Sequence, residues 1–123
     1  VVNAASFLAD IGAATAQMGY ATAKAAVVQF SRDLGIHLAP AGVRVNAVLF
    51  GPIDTPTQRA VFERNPGALD ERLVHWPMGR FGTLEEAAAT IAFLASDDAG
   101  FITAAAIPST VVSPRHLPCP YNH

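Results

Sequence analysis

The chain has 123 residues, 51% of them hydrophobic and 15% charged, with a formal net charge of -2. That composition fits at most one soluble globular domain, and eight scattered Lys and Arg residues build no basic patch for nucleic acid. A single cysteine, Cys119, excludes an internal disulfide or a cysteine-rich metal site, and no apolar run approaches the roughly 18 residues that span a bilayer.

The start, Val1-Val2-Asn3, has neither an initiator Met nor a charged region followed by an apolar one. It reads as a strand met in mid-chain, so the expectation is an incomplete cytoplasmic protein. Val1 to Ala5 is a short apolar run ending in small residues, as in a buried parallel strand at its C-terminal edge. Ser6 to Gly19, rich in Ala and Gly, reads as a loop with one helical turn. From Tyr20 to Leu38 the pattern is helical, with Val27, Phe30, Leu34 and Leu38 as the apolar stripe. Ala39-Pro40-Ala41-Gly42 stops that helix. Val43 to Phe50 is a second strand, ended by Gly51-Pro52.

Asp54 to Arg80 is irregular and proline-rich, with short helices predicted over Gln58–Arg64 and Leu69–Val74, and reads as a mobile covering segment. Thr83-Leu84-Glu85-Glu86 carries the capping-box spacing of a hydroxyl answered three residues later by a carboxylate. The helix it opens runs to about Ala95, with Ala88, Ile91, Ala92 and Ala95 predicted to face inward. Phe101 to Ile107 is the last predicted strand. Strand–helix alternation implies an α/β fold with a parallel sheet covered on both faces. From Ser109 the apolar periodicity is lost and Pro114, Pro118 and Pro120 accumulate, so residues 109–123 read as a divergent, disordered tail on a 1–108 domain.

Three side chains combine into chemistry. Tyr20 and Lys24, four apart on a helix, share one face. A phenol is a poor acid or base at neutral pH, and a nearby ammonium favours the phenolate. Ser6, at the C-terminal edge of the preceding strand, is placed to hold the same substrate oxygen, since open parallel sheets bind ligands outside their strand ends. Taken singly, each has a plainer explanation: an amphipathic tyrosine, a solvated lysine and a small strand-end serine. Gly51-Pro52, too, is by itself an ordinary turn. His37, His75, His116 and His123 show no metal-ligand spacing. Asp10 reads as solvated, Asn46 as a backbone fixer and Arg80 as an anchor for the covering segment. His75 and Trp76 read as packing under that segment or touching substrate.

Five segments occur in order: Val2-Asn3-Ala4-Ala5-Ser6, Tyr20-Ala21-Thr22-Ala23-Lys24, Arg44-Val45-Asn46-Ala47-Val48, Gly51-Pro52-Ile53-Asp54-Thr55 and Pro77-Met78-Gly79-Arg80-Phe81-Gly82. Together they resemble the C-terminal part of the short-chain dehydrogenase/reductases, over residues 1 to about 107. The resemblance implies part of a Rossmann-type doubly wound sheet, about three strands with their helices, and hydride transfer between NAD or NADP and a carbonyl/alcohol pair. It implies Ser6, Tyr20 and Lys24 as catalytic residues, with Tyr20 the general acid/base, Ser6 steadying the substrate oxygen, and Lys24 also holding the nicotinamide ribose. Gly51, Pro52, Ile53 and Thr55 would meet the nicotinamide, its carboxamide or the phosphates. Implied partners are a small carbonyl or alcohol substrate and, for the full-length protein, further copies of itself; no nucleic acid, membrane or metal is implied. A second reading is a non-catalytic module that associates with intact subunits of the family.

The sequence departs from the family in three ways. The glycine-rich phosphate turn, the Asn-Asn-Ala-Gly strand end and the family's first four strands are absent, as is its catalytic asparagine. Phe50 stands where proline is usual, and Ser6 and Tyr20 are fourteen rather than thirteen apart. After Ile107-Pro108 the family continues with a sequence such as Val-Asp-Gly-Gly. Suitable codons for Val-Asp-Gly-Gly-Ile-Ser-Ala-Ala, shifted by one base, read Ser-Thr-Val-Val-Ser-Pro-Arg-His, which is Ser109 to His116.

Overall fold

The computed structural model describes residues 1–13, 16–73 and 76–110, with Glu71 and Arg72 described by backbone alone. His75 and the expected tail beyond Thr110, with His116, Cys119 and His123, lie outside the described residues. Three parallel strands, β1 (Val2–Ser6), β2 (Asn46–Phe50) and β3 (Ala106–Ser109), form a sheet in that order. Helix α1 (Met18–Leu38) joins β1 to β2. Helices α2 (Pro56–Arg64), α3 (Gly67–Leu73) and α4 (Leu84–Ala95) lie between β2 and β3.

The alternation of β2 explains the layering, because successive strand residues point to opposite faces. Ala47 and Leu49 pack with Ala5 and with Val28 of α1 on one face. Val48 packs with Leu94 of α4 and with Ala99 on the other, joined by Val2, Phe50 and Ile107. Both faces being covered, β2 is buried from Asn46 to Leu49, with Ala47, Val48 and Leu49 forming a continuous apolar run. Thr83 caps α4 as its spacing predicts: its hydroxyl accepts from Glu86 N at 3.1 Å, and the Glu86 carboxylate accepts from Thr83 N at 2.8 Å.

Two predicted stripes are corrected. On α1 the buried positions are Val28, Ser31 and Gly35, whereas Phe30 is 60% exposed. The sheet approaches so closely that the contact line favours small residues. A Cβ added at Gly35 would lie 2.7 Å from Ala104 N and 2.9 Å from Val45 O. On α4 the inward line is Ala87, Thr90 and Leu94, while Ala88, Ile91, Ala92 and Ala95 are exposed. An Ala-rich helix offers nearly equal apolar stripes, so periodicity could not choose between them.

The strand limits also move. The second strand begins at Asn46 instead of Val43, and the third occupies Ala106–Ser109 instead of Phe101–Ile107. Side chains replace ladder bonds just before these strands. Val45 N donates to Thr103 Oγ1 at 3.1 Å. The buried Asn46 amide donates to Ile102 O at 2.8 Å and accepts from Ala105 N at 3.1 Å. Ala104 turns the chain with a φ of 57°, so regular pairing starts only after it. Asn46 thus fixes local backbone, as read from the sequence. Arg44 closes the same corner, donating to Leu94 O and Ser96 O, each at 2.9 Å, at the C-terminal end of α4.

Candidate active site

The C-terminal ends of β1 and β2 open on a cavity of about 390 Å³, lined by Ser6, Tyr20, Pro52, Ile53, Thr55 and Trp76 among others. Ser6 is the last residue of β1 and caps the short 3-10 turn Phe7–Ala9, its Oγ accepting from Leu8 N at 3.2 Å. That bond uses a lone pair of Ser6 and leaves its hydroxyl proton to donate elsewhere. Tyr20 sits in the first turn of α1, half exposed, on the same cavity. Lys24 follows one turn later with its Nζ 5.7 Å from the centre of the Tyr20 ring. Its ammonium donates to Ala4 O at 3.0 Å, tying α1 to β1 two residues before Ser6.

Beyond β2 the main chain of 52–54 forms a parallel bridge with Gly82. Gly82 N donates to Pro52 O at 3.0 Å and Asp54 N to Gly82 O at 2.8 Å. In a parallel bridge of this kind the central residue's own N–H and C=O point the other way, so those of Ile53 are directed away from Gly82. Thr55 caps α2, accepting from Gln58 N at 3.2 Å and keeping its hydroxyl proton. An outward donor and acceptor at Ile53, beside a hydroxyl, suit a carboxamide such as that of nicotinamide. The sequence contains no glycine-rich turn to cradle a pyrophosphate. The glycine before this segment has another use: the Thr110 side chain fills the space that a Cβ at Gly51 would take. Phe50, in the position of the family's proline, packs towards Val48, Leu94 and Ala99 while still lining the cavity.

The covering segment contributes an aromatic wall that no sequence motif announces. Trp76 meets Phe7 edge-on, with ring centres 5.7 Å apart at 81°, and Phe81 at 6.4 Å and 88°. Phe62 packs on Phe81 at 5.5 Å. The Trp76 Nε1–H is buried without an acceptor among the described residues. The sequence offers Trp76 as packing under this segment or touching substrate, and carries no sign of its meeting with Phe7 and Phe81. Their meeting is a product of tertiary folding.

Two ion pairs hold this segment at its ends. Asp54 and Arg59 meet at 2.7 Å, which holds the Asp54 carboxyl below its ordinary range. Arg80 grips both oxygens of Glu86, at 2.7 and 2.8 Å, and donates to Phe81 O, acting as the anchor read from the sequence. The Arg80 bonds, helped by the Thr83 N–H, lower Glu86 to about 2. Among the described residues no group of three or more His, Cys, Asp or Glu could hold a metal, and no helix is long and apolar enough to cross a membrane.

The family model described as Enoyl-(Acyl carrier protein) reductase matches residues 1–109. The chain is 39% identical over 108 residues to the 3-oxoacyl-[acyl-carrier-protein] reductase FabG of Pseudomonas aeruginosa, covering 88% of this chain and 42% of that protein. Among solved structures, levodione reductase superposes with a TM-score of 0.81 at 36% identity, covering 89% of this chain and 44% of that one. YwfH, an NADPH-dependent reductase involved in bacilysin biosynthesis, gives 0.82 at 30% identity, covering 91% and 45%. The chain therefore spans less than half the length of the relatives it matches. Motif order, sheet topology and these likenesses agree: the chain belongs to the short-chain dehydrogenase/reductase family.

Proposed function

We propose that the protein carrying this sequence transfers a hydride between NAD(P)(H) and a carbonyl/alcohol substrate, with Ser6, Tyr20 and Lys24 as its catalytic residues. The observation that carries this reading is the shared cavity. It brings Ser6 and Tyr20 together with the outward-facing main chain of Ile53 and the Thr55 hydroxyl. When bound, the nicotinamide supplies or takes up the hydride. In the reducing direction the Ser6 hydroxyl donates to the substrate carbonyl oxygen and holds it in place. As the carbonyl π electrons move onto that oxygen, the Tyr20 phenol gives it a proton; in the oxidising direction the Tyr20 phenolate takes the proton back. Lys24 places a positive charge beside the ring and has two N–H groups left after its bond to Ala4 O. Ile53 and Thr55 orient the carboxamide. Relatives named as NADPH-dependent or as 3-oxoacyl reductases support the cofactor class and the carbonyl chemistry.

The test is carbonyl reduction by the protein carrying this sequence, followed by loss of the reduced nicotinamide, in parallel with Tyr20→Phe. Loss of positioned acid/base catalysis lowers kcat by about 10²–10⁴. A Tyr20→Phe variant with unchanged kcat overturns the assignment.

A second reading, an interaction module that associates with intact subunits of the family, is favoured by apolar side chains left open on the helices. Phe30 and Ile36 on α1 are 60% and 64% exposed, and Ile91 and Phe93 on α4 are 39% and 47% exposed. Co-purification of the 123-residue chain with an intact relative, without any nicotinamide binding, favours this reading over the first.

A further inference from the structure

The aromatic wall and the charge of the cavity speak to the substrate, on the basis of the hydride-transfer reading above. Among the described residues, no charged side chain lines the Ser6–Tyr20 cavity. Lys24 lies outside that lining and is bonded to Ala4 O, so a carboxylate or phosphate buried there would find no cationic partner in the described lining, at a large desolvation cost. At about 390 Å³ the space is small for a ligand site, and a nicotinamide ring shares it with the reacting part of the substrate. Phe7 and Trp76 stand at 81° to one another, and Trp76 and Phe81 at 88°. All three residues line the cavity, so an entering group meets aromatic side chains set at right angles on that side. A flat ring gains from that geometry beyond its apolar area, whereas an alkyl chain gains from the area alone. The Trp76 indole N–H is buried and meets no acceptor among the described residues, while Trp76 as a residue lines the cavity.

We propose that the substrate is an uncharged ring-bearing ketone or alcohol, seated against Phe7, Trp76 and Phe81 with its oxygen at Ser6 and Tyr20. Trp76 and Phe7 then determine specificity, while Ser6 and Tyr20 act on the carbonyl of any substrate.

Trp76 is the only tryptophan of the chain, so its indole N–H gives one resonance in a nitrogen-edited NMR spectrum. Three methyl ketones separate ring from charge: acetophenone, its anionic relative 4-acetylbenzoate, and 2-octanone, a neutral chain with as many carbons as acetophenone. Titrated into the 123-residue protein, acetophenone is expected to shift the Trp76 resonance at the lowest concentration. 2-Octanone should bind roughly two- to tenfold more weakly, the range of an aromatic pairing term, and 4-acetylbenzoate weaker still. Phe7→Leu should remove the advantage of acetophenone over 2-octanone and leave 2-octanone binding in place. Equal or tighter binding of 4-acetylbenzoate or 2-octanone, or no shift with any of the three, overturns the inference. Acetophenone binding with no NAD(P)H-dependent reduction by the protein carrying this sequence leaves the aromatic seat standing and overturns the hydride-transfer reading instead.

Discussion

Lys24 Nζ donates to the carbonyl of Ala4 at 3.0 Å, joining the helix that carries Tyr20 to the strand that ends in Ser6. That bond is a mechanical task, and the proposed hydride transfer gives the same side chain an electrostatic one beside Tyr20. Lys24→Met removes both. We expect it to lower stability by about 1 kcal/mol, the size of one net hydrogen bond, measured as a shift in urea midpoint without a change in slope. Lys24→Arg restores the charge but not the compact three-proton head, and is expected to recover stability more than turnover. Equal recovery of both would argue against a separate electrostatic task.

Gly35 and Gly19 lie on the same helix and should respond to alanine with opposite signs. Nothing lies within 4 Å of a Cβ at Gly19, so Gly19→Ala should gain about 0.5–1 kcal/mol from helix propensity and a less flexible unfolded chain. At Gly35 the new methyl meets the main chain of Ala104 and Val45 below 3.0 Å. Overpacking against backbone costs about 1–3 kcal/mol, which outweighs the propensity gain. Thermal unfolding of the two variants side by side checks the pair, and stabilisation by Gly35→Ala would contradict the packing described.

Acid should weaken the fold from the covering segment inward. Glu86 has an ordinary value of 4.5 and is held at about 2 by Arg80 and the Thr83 N–H, and Asp54 is lowered by Arg59. Carboxylates with depressed folded values lend stability that is complete above their unfolded values and is lost as pH falls through the folded ones. The melting temperature should therefore decline as pH falls from about 4.5 towards 2. Both pairs are solvent-exposed, so the decline should be modest and smaller in high salt. Arg80→Gln should flatten that part of the profile; an unchanged profile would remove Glu86 from the account.

Leu94 and Ile91 test which face of α4 looks inward. Leu94 is 2% exposed against Val48 and Ala99, and Leu94→Ala should cost about 2–5 kcal/mol through lost burial and a cavity. Ile91 is 39% exposed, and Ile91→Ala should stay within about 1 kcal/mol in the isolated chain. Denaturant titration of each variant decides, and a reversal of the two would restore the stripe that periodicity alone suggested.

That stripe shows what the sequence could and could not convey. Elements were legible wherever chemistry is local: the Thr83–Glu86 capping box, the stop at Pro40 and Gly42, the break at Gly51-Pro52 and the four-residue spacing of Tyr20 and Lys24. Helix faces were less legible. The faces of α1 and α4 are rich in alanine, and burial there is set by how closely the sheet approaches. Phe30 looked like core because it is large and correctly spaced, yet the line that meets the sheet runs through Val28, Ser31 and Gly35. The aromatic wall was illegible for a related reason. Phe7 is far in sequence from Trp76 and Phe81, and the ring contacts that join them arise only in the folded chain.

The contact between Gly35 and Ala104 also bears on how this protein can change. Gly35 lies fifteen residues from Tyr20, about 22 Å along the helix axis at 1.5 Å per residue. Backbone resting on backbone has no side chain to yield, so this point fixes how close α1 lies to the sheet at one end. The Asn3–Ser31 and Lys24–Ala4 bonds fix it again towards Tyr20. A larger residue at Gly35 therefore strains a helix that is pinned along its length.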